Sequence, residues 1–501
     1  MKACTSRKVA SIGLVVCIAC AGRKKDPGPQ VQIVGESSRL RLDAPAPATS
    51  PWFDGARVVT SAARGEIIGL QVLHRDGLPA TLTLSDPHVT VRSYAVEHLR
   101  ARRGSTSMYG GSQGPGEYAD GLTPSSAPAT DPAYFELEVA REAPPGVRTG
   151  ELAIGARRYP VELTVVPVTL PPLPLAVWAY GDPRELAWAA GGAGDPPRAE
   201  PSAAERACMD VFRSHGVLLS PDLQLDWWPQ RRAGLAGVHD LPVVLDADPQ
   251  RAGDQVRGWI DATRGTGSVP FAIPIDEPRT PEARARVRAL AEVVRAAGGG
   301  PNTFRFAVTD EPRPEYGDLV DLYITLTPHL TGDLAPRWTY NGAPPRAGSM
   351  VLDALTPGTR TWGWIAWRWK IPRWYVWDAL YWHDRHNRKG APLPGRAFSR
   401  DDAISFDDGE DHGNLDGVLA FPAPGGCRPT LRLAALRRGQ QDRSLLDLAA
   451  ACDPTATAAL AASLVPRALG DAPQAGAPSW PTDEAAWEQA RRKLLALASC
   501  R

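Results

Sequence analysis

The chain has 501 residues with 56 Lys+Arg against 56 Asp+Glu, and 43% of it is hydrophobic, so it can bury a sizeable core and lacks the basic excess of a nucleic-acid binder. A length of this order implies two or three domains, and 49 prolines with 47 glycines imply many ordered turns.

In chain order, residues 1–19 read as an export signal: Lys2, Arg7 and Lys8 form a basic head, and Val9 to Ala19 an apolar core too short to span a bilayer. Ile18-Ala19-Cys20 resembles a lipoprotein cleavage box with Cys20 as the lipidated residue, although Cys17 stands where Leu is usual. Simple secretion is the alternative. The expectation is an exported cell-envelope lipoprotein, held to the membrane by its lipid alone. Removing residues 1–19 leaves a net charge of −3. Residues 20–30 read as a linker. Four cysteines follow, Cys208, Cys427, Cys452 and Cys500; their spacing is neither a disulfide framework nor a metal motif, and a Cys452–Cys500 bridge is a guess.

Residues 31–170 read as an all-β sandwich. Short runs rich in Val, Ile, Leu and Thr recur at Glu66 to His74, Ala80 to Leu84, Val89 to Val91, Phe135 to Val139, Glu151 to Ile154 and Val161 to Val166. Gly104 to Pro132, rich in Gly, Ser and Pro, reads as a long loop carrying Tyr118-Ala119-Asp120-Gly121-Leu122-Thr123-Pro124. Pro171-Pro172-Leu173-Pro174 is a stiff linker.

Beyond it, apolar runs alternate with helical ones. Candidate strands are Leu175 to Tyr180, Val217 to Ser220, Leu241 to Asp246, Phe271 to Asp276, Thr303 to Thr309, Leu319 to Thr325, Arg337 to Asn341 and Trp374 to Asp378. Eight such units predict a compact (β/α)₈ TIM-type barrel over 171–450, with a short helical segment at 451–501. Ser202 and Glu205 form a capping-box pair for a helix ended by Gly216.

The fourth candidate strand runs into Asp276-Glu277-Pro278. Side chains alternate across a strand, so two adjacent carboxyls can address one ligand only where the strand stops, and proline enforces a stop. A helix from about Pro281 to Ala297 follows, with Val287, Leu290, Val294 and Ala297 on one face. The pair thus lies on a βα loop, where barrel enzymes keep their chemistry; a solvated turn or helix cap is the bland alternative. Trp338 to Trp382 holds eight of the sixteen tryptophans. Most are expected in the core, but an indole at a strand end is a platform for the C–H face of a sugar, which favours Trp377 and Trp338 with Tyr340 beside them.

Several stretches, in order, resemble glycoside hydrolase family 123 and its bacterial relatives. They are Arg64-Gly65-Glu66, Asp120 to Pro124, Ala143-Pro144-Pro145-Gly146, Asp276-Glu277-Pro278, Arg360 with Gly363 to Trp367, Trp374 to Trp377, Asp416 to Leu419, and Pro429 to Leu433 continuing to Asp442. The chain departs from the family at Trp369, where Tyr is common, and at Ala434, Arg438 and Gln441, where acids are usual. The resemblance implies a retaining exo-β-N-acetylgalactosaminidase acting on a β-linked N-acetylhexosamine glycan without cofactor or metal, with the substrate's own acetamido group as nucleophile. Glu277 would be the general acid/base and Asp276 would orient the acetamido N–H. Tyr340 would bond the acetamido oxygen, Trp377 would floor the sugar, and Asp310 would line the same cleft. A second triplet, Asp310-Glu311-Pro312, competes as the catalytic pair. The alternatives are a glycosidase of other specificity, with Asp276 or Glu277 paired to a distant acid such as Asp310 or Glu311, and a non-catalytic glycan-binding lipoprotein.

Overall fold

The computed structural model describes residues 31–75, 77–189, 198–331, 337–384 and 396–500; the export signal, Cys20 and the linker lie outside them. Strands β1 (Gln32–Gly35), β2 (Val58–Arg64), β3 (Ile67–Leu73), β4 (Ala80–Leu84), β5 (Val89–Ala101), β6 (Gly116–Pro124), β7 (Ala133–Val139), β8 (Gly146–Ile154) and β9 (Arg157–Thr169) make two facing sheets, ordered β1-β3-β7-β5-β6 and β2-β9-β8-β4. Leu70, Phe135 and Leu137 of one sheet meet Leu152 and Leu163 of the other in a dry core. The expected runs are all present: β5, β7, β8 and β9 are longer because pairing continues past the apolar residues, β4 is as expected and β3 is one residue shorter at each end.

The Gly104–Pro132 segment differs from expectation, since it contains β6, paired antiparallel with β5. Its polar, glycine-bearing sequence conceals a strand because its environment is not an ordinary sheet face. Asp120 is fully buried against Arg432 at 2.9 Å, and a Cβ on Gly121 would lie 2.5 Å from the Phe421 ring. The Asp-Gly-Leu-Thr-Pro stretch is therefore a joint between the sandwich and the rest of the molecule.

Eight parallel strands follow: β10 (Val177–Tyr180), β11 (Val217–Ser220), β12 (Asp240–Pro242), β13 (Val269–Ala272), β14 (Arg305–Val308), β15 (Leu322–Leu326), β16 (Arg337–Tyr340) and β17 (Trp374–Val376). They run β11-β10-β17-β16-β15-β14-β13-β12. A parallel bridge from Leu223 to Val243, with Leu223 N–H donating to Pro242 at 3.1 Å, links the two edges, so a barrel stands beside the sandwich. All eight strands fall within or overlap the segments expected from sequence. The helices are α1 (Pro183–Ala189), α2 (Ala203–Arg213), α3 (Trp228–Arg231), α4 (Pro249–Thr263), α5 (Pro281–Ala296) and α6 (Thr361–Arg368), and only 3-10 turns are seen between β14 and β16 among the described residues. Ser202 caps α2 by accepting the Glu205 N–H at 3.0 Å, while the Glu205 side chain pairs with Arg231 rather than completing the box. Val287, Leu290 and Val294 are the buried stripe of α5.

The long α7 (Leu431–Cys452), α8 (Pro454–Leu464) and α9 (Glu484–Ala498) close the chain. α7 is buried along most of its length, packing on α6 and α9, which explains why its sequence shows no one-sided pattern. Two disulfides, Cys208–Cys427 and Cys452–Cys500, join α2 to a late hairpin and α7 to the C-terminal residues. No described helix is long and apolar enough to cross a membrane.

Candidate active site

β13 ends at Ala272, earlier than expected from sequence, because Pro274 has no N–H for the ladder. The chain then runs as a loop over the C-terminal end of the barrel. Asp276 and Glu277 therefore stand on this loop, with Glu277 at φ 39°, a left-handed conformation that costs a non-glycine residue about 1–3 kcal/mol. Thr309, just beyond β14, holds that geometry. Its hydroxyl accepts the Glu277 N–H at 2.7 Å and donates to Asp276 Oδ1 at 2.6 Å. One side chain thus ties the backbone of one acid to the carboxyl of the other.

The two acids meet different surroundings. Part of Asp276 faces solvent at the mouth, yet its carboxyl is pushed up, first by loss of hydration among the surrounding groups and also by Glu277, while the Thr309 hydrogen bond works the other way. Glu277 accepts a hydrogen bond from the Tyr340 hydroxyl at 2.8 Å on Oε1, and its other oxygen pairs with Arg279, a mostly exposed side chain. Burial, and then Glu277, push the Tyr340 hydroxyl far above its usual value, so it stays a donor.

The second Asp-Glu-Pro is differently engaged. Asp310 accepts from Arg313 at 2.6 Å, from Tyr316 at 2.7 Å and from the Glu311 N–H at 2.8 Å. Burial would raise its pKa, but Arg313 and these hydrogen bonds outweigh it and hold the carboxyl low. Glu311 pairs with Arg313 at 3.0 Å and lies 3.7 Å from His329. Glu277 and Pro278 of the first triplet and Asp310 and Glu311 of the second border one recess of ≈250 Å³, along with Tyr340, Thr325 and Leu326, while Asp276 stands just outside its lining. Asp310 thus does line the recess holding Glu277, as a carboxylate already in use.

The aromatic residues divide. Trp377, the first residue past β17 at the C-terminal rim, is half-buried beside Tyr381, with ring centroids 5.4 Å apart, and Asn341 grips its peptide on both sides, at 3.1 and 3.2 Å. Trp338 is only 4% exposed, edge-to-face with Phe271 and under the Arg373 guanidinium, so it fills the barrel and presents no open face. Five of the eight tryptophans from 338 to 382 are buried; Trp362, for example, stacks on Trp374 at 4.8 Å. Thr309 and Asn341 were missed from sequence. Their only signals were a hydroxyl at the end of a strand facing the acids, and an asparagine, a residue that tolerates left-handed backbone, at a strand's end.

No protein-family model and no curated protein sequence matches this chain. Among solved structures, a family 123 glycoside hydrolase from Clostridium perfringens, described in terms of glycolipid glycan hydrolysis, superposes over 93% of this chain and 96% of its own at TM-score 0.61 and 11% identity. The chain has the fold of a family 123 glycoside hydrolase. A glycosyl hydrolase family 2 member from Bacteroides cellulosilyticus overlaps 64% of this chain and 44% of its own, at TM-score 0.25 and 9% identity, which bears on nothing further. Among the described residues no cluster of His, Cys, Asp or Glu is arranged to hold a metal ion.

Proposed function

We propose that the chain is a retaining β-N-acetylhexosaminidase, of the exo-β-N-acetylgalactosaminidase type, in which the substrate's 2-acetamido oxygen attacks C1. The reading is carried by the adjacency of Asp276 and Glu277 across the Thr309 hydroxyl. Neighbouring atoms C1 and C2 of one sugar can be served by neighbouring side chains, whereas a two-carboxylate mechanism needs acids placed on either side of the bond. Glu277 donates its proton to the glycosidic oxygen as that bond breaks, and the acetamido oxygen closes onto C1 to give an oxazolinium ion. Asp276 accepts a hydrogen bond from the acetamido N–H and offsets the charge that forms there. Glu277 then takes a proton from the water that opens the ring, which restores the configuration at C1. Trp377 at the rim supports the sugar face. Tyr340 turns from Glu277 toward the acetamido oxygen when substrate displaces it.

The test is a screen of aryl β-glycosides with the mature protein. Turnover of the N-acetylgalactosaminide or N-acetylglucosaminide, near-inertness of hexosides lacking the acetamido group, and inhibition by a thiazoline mimic of the intermediate are expected. Equal turnover of galactosides with and without that group would remove the substrate-assisted mechanism. The cellular setting belongs to the same proposal: an exported protein anchored through diacylated Cys20, a reading supported by its two disulfides. Cys20→Ser should release the protein from the membrane fraction or block maturation; a fully processed, still membrane-bound variant would exclude lipidation.

A further inference from the structure

Asp222 follows β11 on the same C-terminal rim of the barrel as the acid pair, beyond Pro221. It is half-buried, and no described residue bonds or pairs with it. The nearby donors are committed elsewhere: the Ser220 hydroxyl donates to the Pro221 carbonyl at 2.8 Å, the Leu223 N–H to Pro242 at 3.1 Å, and Pro221 has no N–H. The hydroxyl of the buried Tyr375, from β17 two strands away, lies within electrostatic reach of Asp222, then of Asp276, Asp378 and Tyr180. Tyr375 stacks on Trp178 at 4.3 Å and lies 6.2 Å from the ring of Tyr340, the residue that donates to Glu277. Burial alone perturbs the Asp222 carboxyl, with no cation acting on it, while the Tyr375 hydroxyl ties its surroundings to those of Asp276. A carboxyl deprived of hydration and left without a partner destabilises a fold, and folds retain such groups where a ligand completes them.

We infer that Asp222 is a substrate-binding residue of this cleft, holding ring hydroxyls of the sugar at the positions away from C1 and C2. The inference rests on the proposed function for its ligand. A sugar hydroxyl is both donor and acceptor, so it satisfies the carboxyl whether or not that carboxyl carries a proton. Burial pushes the Asp222 carboxyl up to about 7, so near neutral pH part of the population is the neutral acid, able to donate as well as accept. The sign for stability follows. With a folded pKa above the unfolded one, ionisation opposes folding, so this group's contribution worsens as pH rises from about 4 to about 7 and is constant above.

The test uses the full mature chain carrying Glu277→Gln, so that ligand is bound and not consumed. Affinity for the methyl β-glycoside of N-acetylgalactosamine and its 3-, 4- and 6-deoxy analogues is measured by calorimetry with and without Asp222→Ala. The parent should bind about 10- to 100-fold more weakly to the Ala variant, and at least one deoxy analogue should bind both proteins alike. Equal affinity of both proteins for the parent overturns the assignment. Thermal unfolding of Asp222→Asn supplies a second reading, with a gain in Tm over the native residue that grows from pH 5 to pH 8. A Tm loss of equal size at both pH values means a structural role and also overturns it. If the protein binds only sugars without the acetamido group, the proposed function fails while Asp222 is judged by the same comparison on that sugar. If it binds no glycoside of either kind, both fall.

Discussion

Thr309 spends one hydroxyl on both acids, and that makes it the most sensitive single atom of the site outside the carboxyls themselves. Thr309→Val keeps the shape but leaves the Glu277 N–H and the Asp276 oxygen without that partner, at a cost of about 1–3 kcal/mol. We expect kcat to fall about 10- to 100-fold through misplacement of Glu277, with KM little changed, as steady-state kinetics would show. The acids themselves should separate by role. Glu277→Gln should slow substrates with poor leaving groups by about 10²- to 10⁴-fold and activated aryl glycosides far less, because a good leaving group needs little protonation. Asp276→Asn should slow both kinds alike, since it acts on the attacking amide in every case. Full activity in Glu277→Gln together with loss in Glu311→Gln would move the chemistry to the second triplet.

Elements meet most closely where α6 crosses α7. A Cβ on Gly363 would lie 1.8 Å from the Gly439 carbonyl oxygen, and one on Gly439 would lie 2.7 Å from that of Arg360. The backbones touch because neither helix carries a side chain there. Gly363→Ala should therefore force the helices apart and cost about 3 kcal/mol or more, read as a large fall in the denaturant midpoint. The same glycine was noted in sequence only as part of the Gly-Trp-Ile-Ala-Trp stretch. Its physical reason appears once α7 is laid against it. At β13 the sequence was legible in part, since Pro278 announced that a loop must carry the acids, while Pro274 ends the strand at Ala272, short of the expected Asp276.

Across the whole molecule, sandwich and C-terminal helices are joined by buried charge. Arg437 of α7 reaches Glu136 at 2.6 Å and Glu36 at 3.1 Å, and Arg438 reaches Glu36 at 2.7 Å and Glu66 at 2.6 Å. Nearby, Arg360 pairs with Asp442 at 2.7 Å. Burial alone would raise Glu36 and Glu136, but the arginines outweigh it and hold both below the usual range. Arg438, one of the departures from the family pattern, is thus a member of the network. Arg437→Met would leave two buried carboxylates short of a partner and should destabilise by about 3–5 kcal/mol. His215 borders the same network, and burial, then Arg437, lower its pKa to about 4. Its folded pKa is below the unfolded one, so acid favours the unfolded chain. The resulting loss of stability grows as pH falls from about 6.5 to about 4 and is constant below. His215→Gln should be correspondingly less sensitive than the native protein over that interval, in thermal unfolding at stepped pH.

The sequence by itself determined the strand count of the barrel, the sandwich ahead of it and the two residues at the end of the fourth barrel strand. Those features are written in local pattern, as apolar runs between turn residues and proline after a pair of acids. Only the tertiary structure decided which residues serve that pair. Thr309 comes from just beyond the fifth strand, and Tyr340, singled out in the sequence only for the sugar, reaches Glu277 from the seventh; no spacing links them to the acids. It also sent Trp338 inward and left Trp377 at the rim, though both sit on barrel strands or at their ends and are the same residue type. Barrel closure is the cause: it brings strand ends from distant segments to one rim, and burial and charge pairing there depend on neighbours that a linear pattern does not contain.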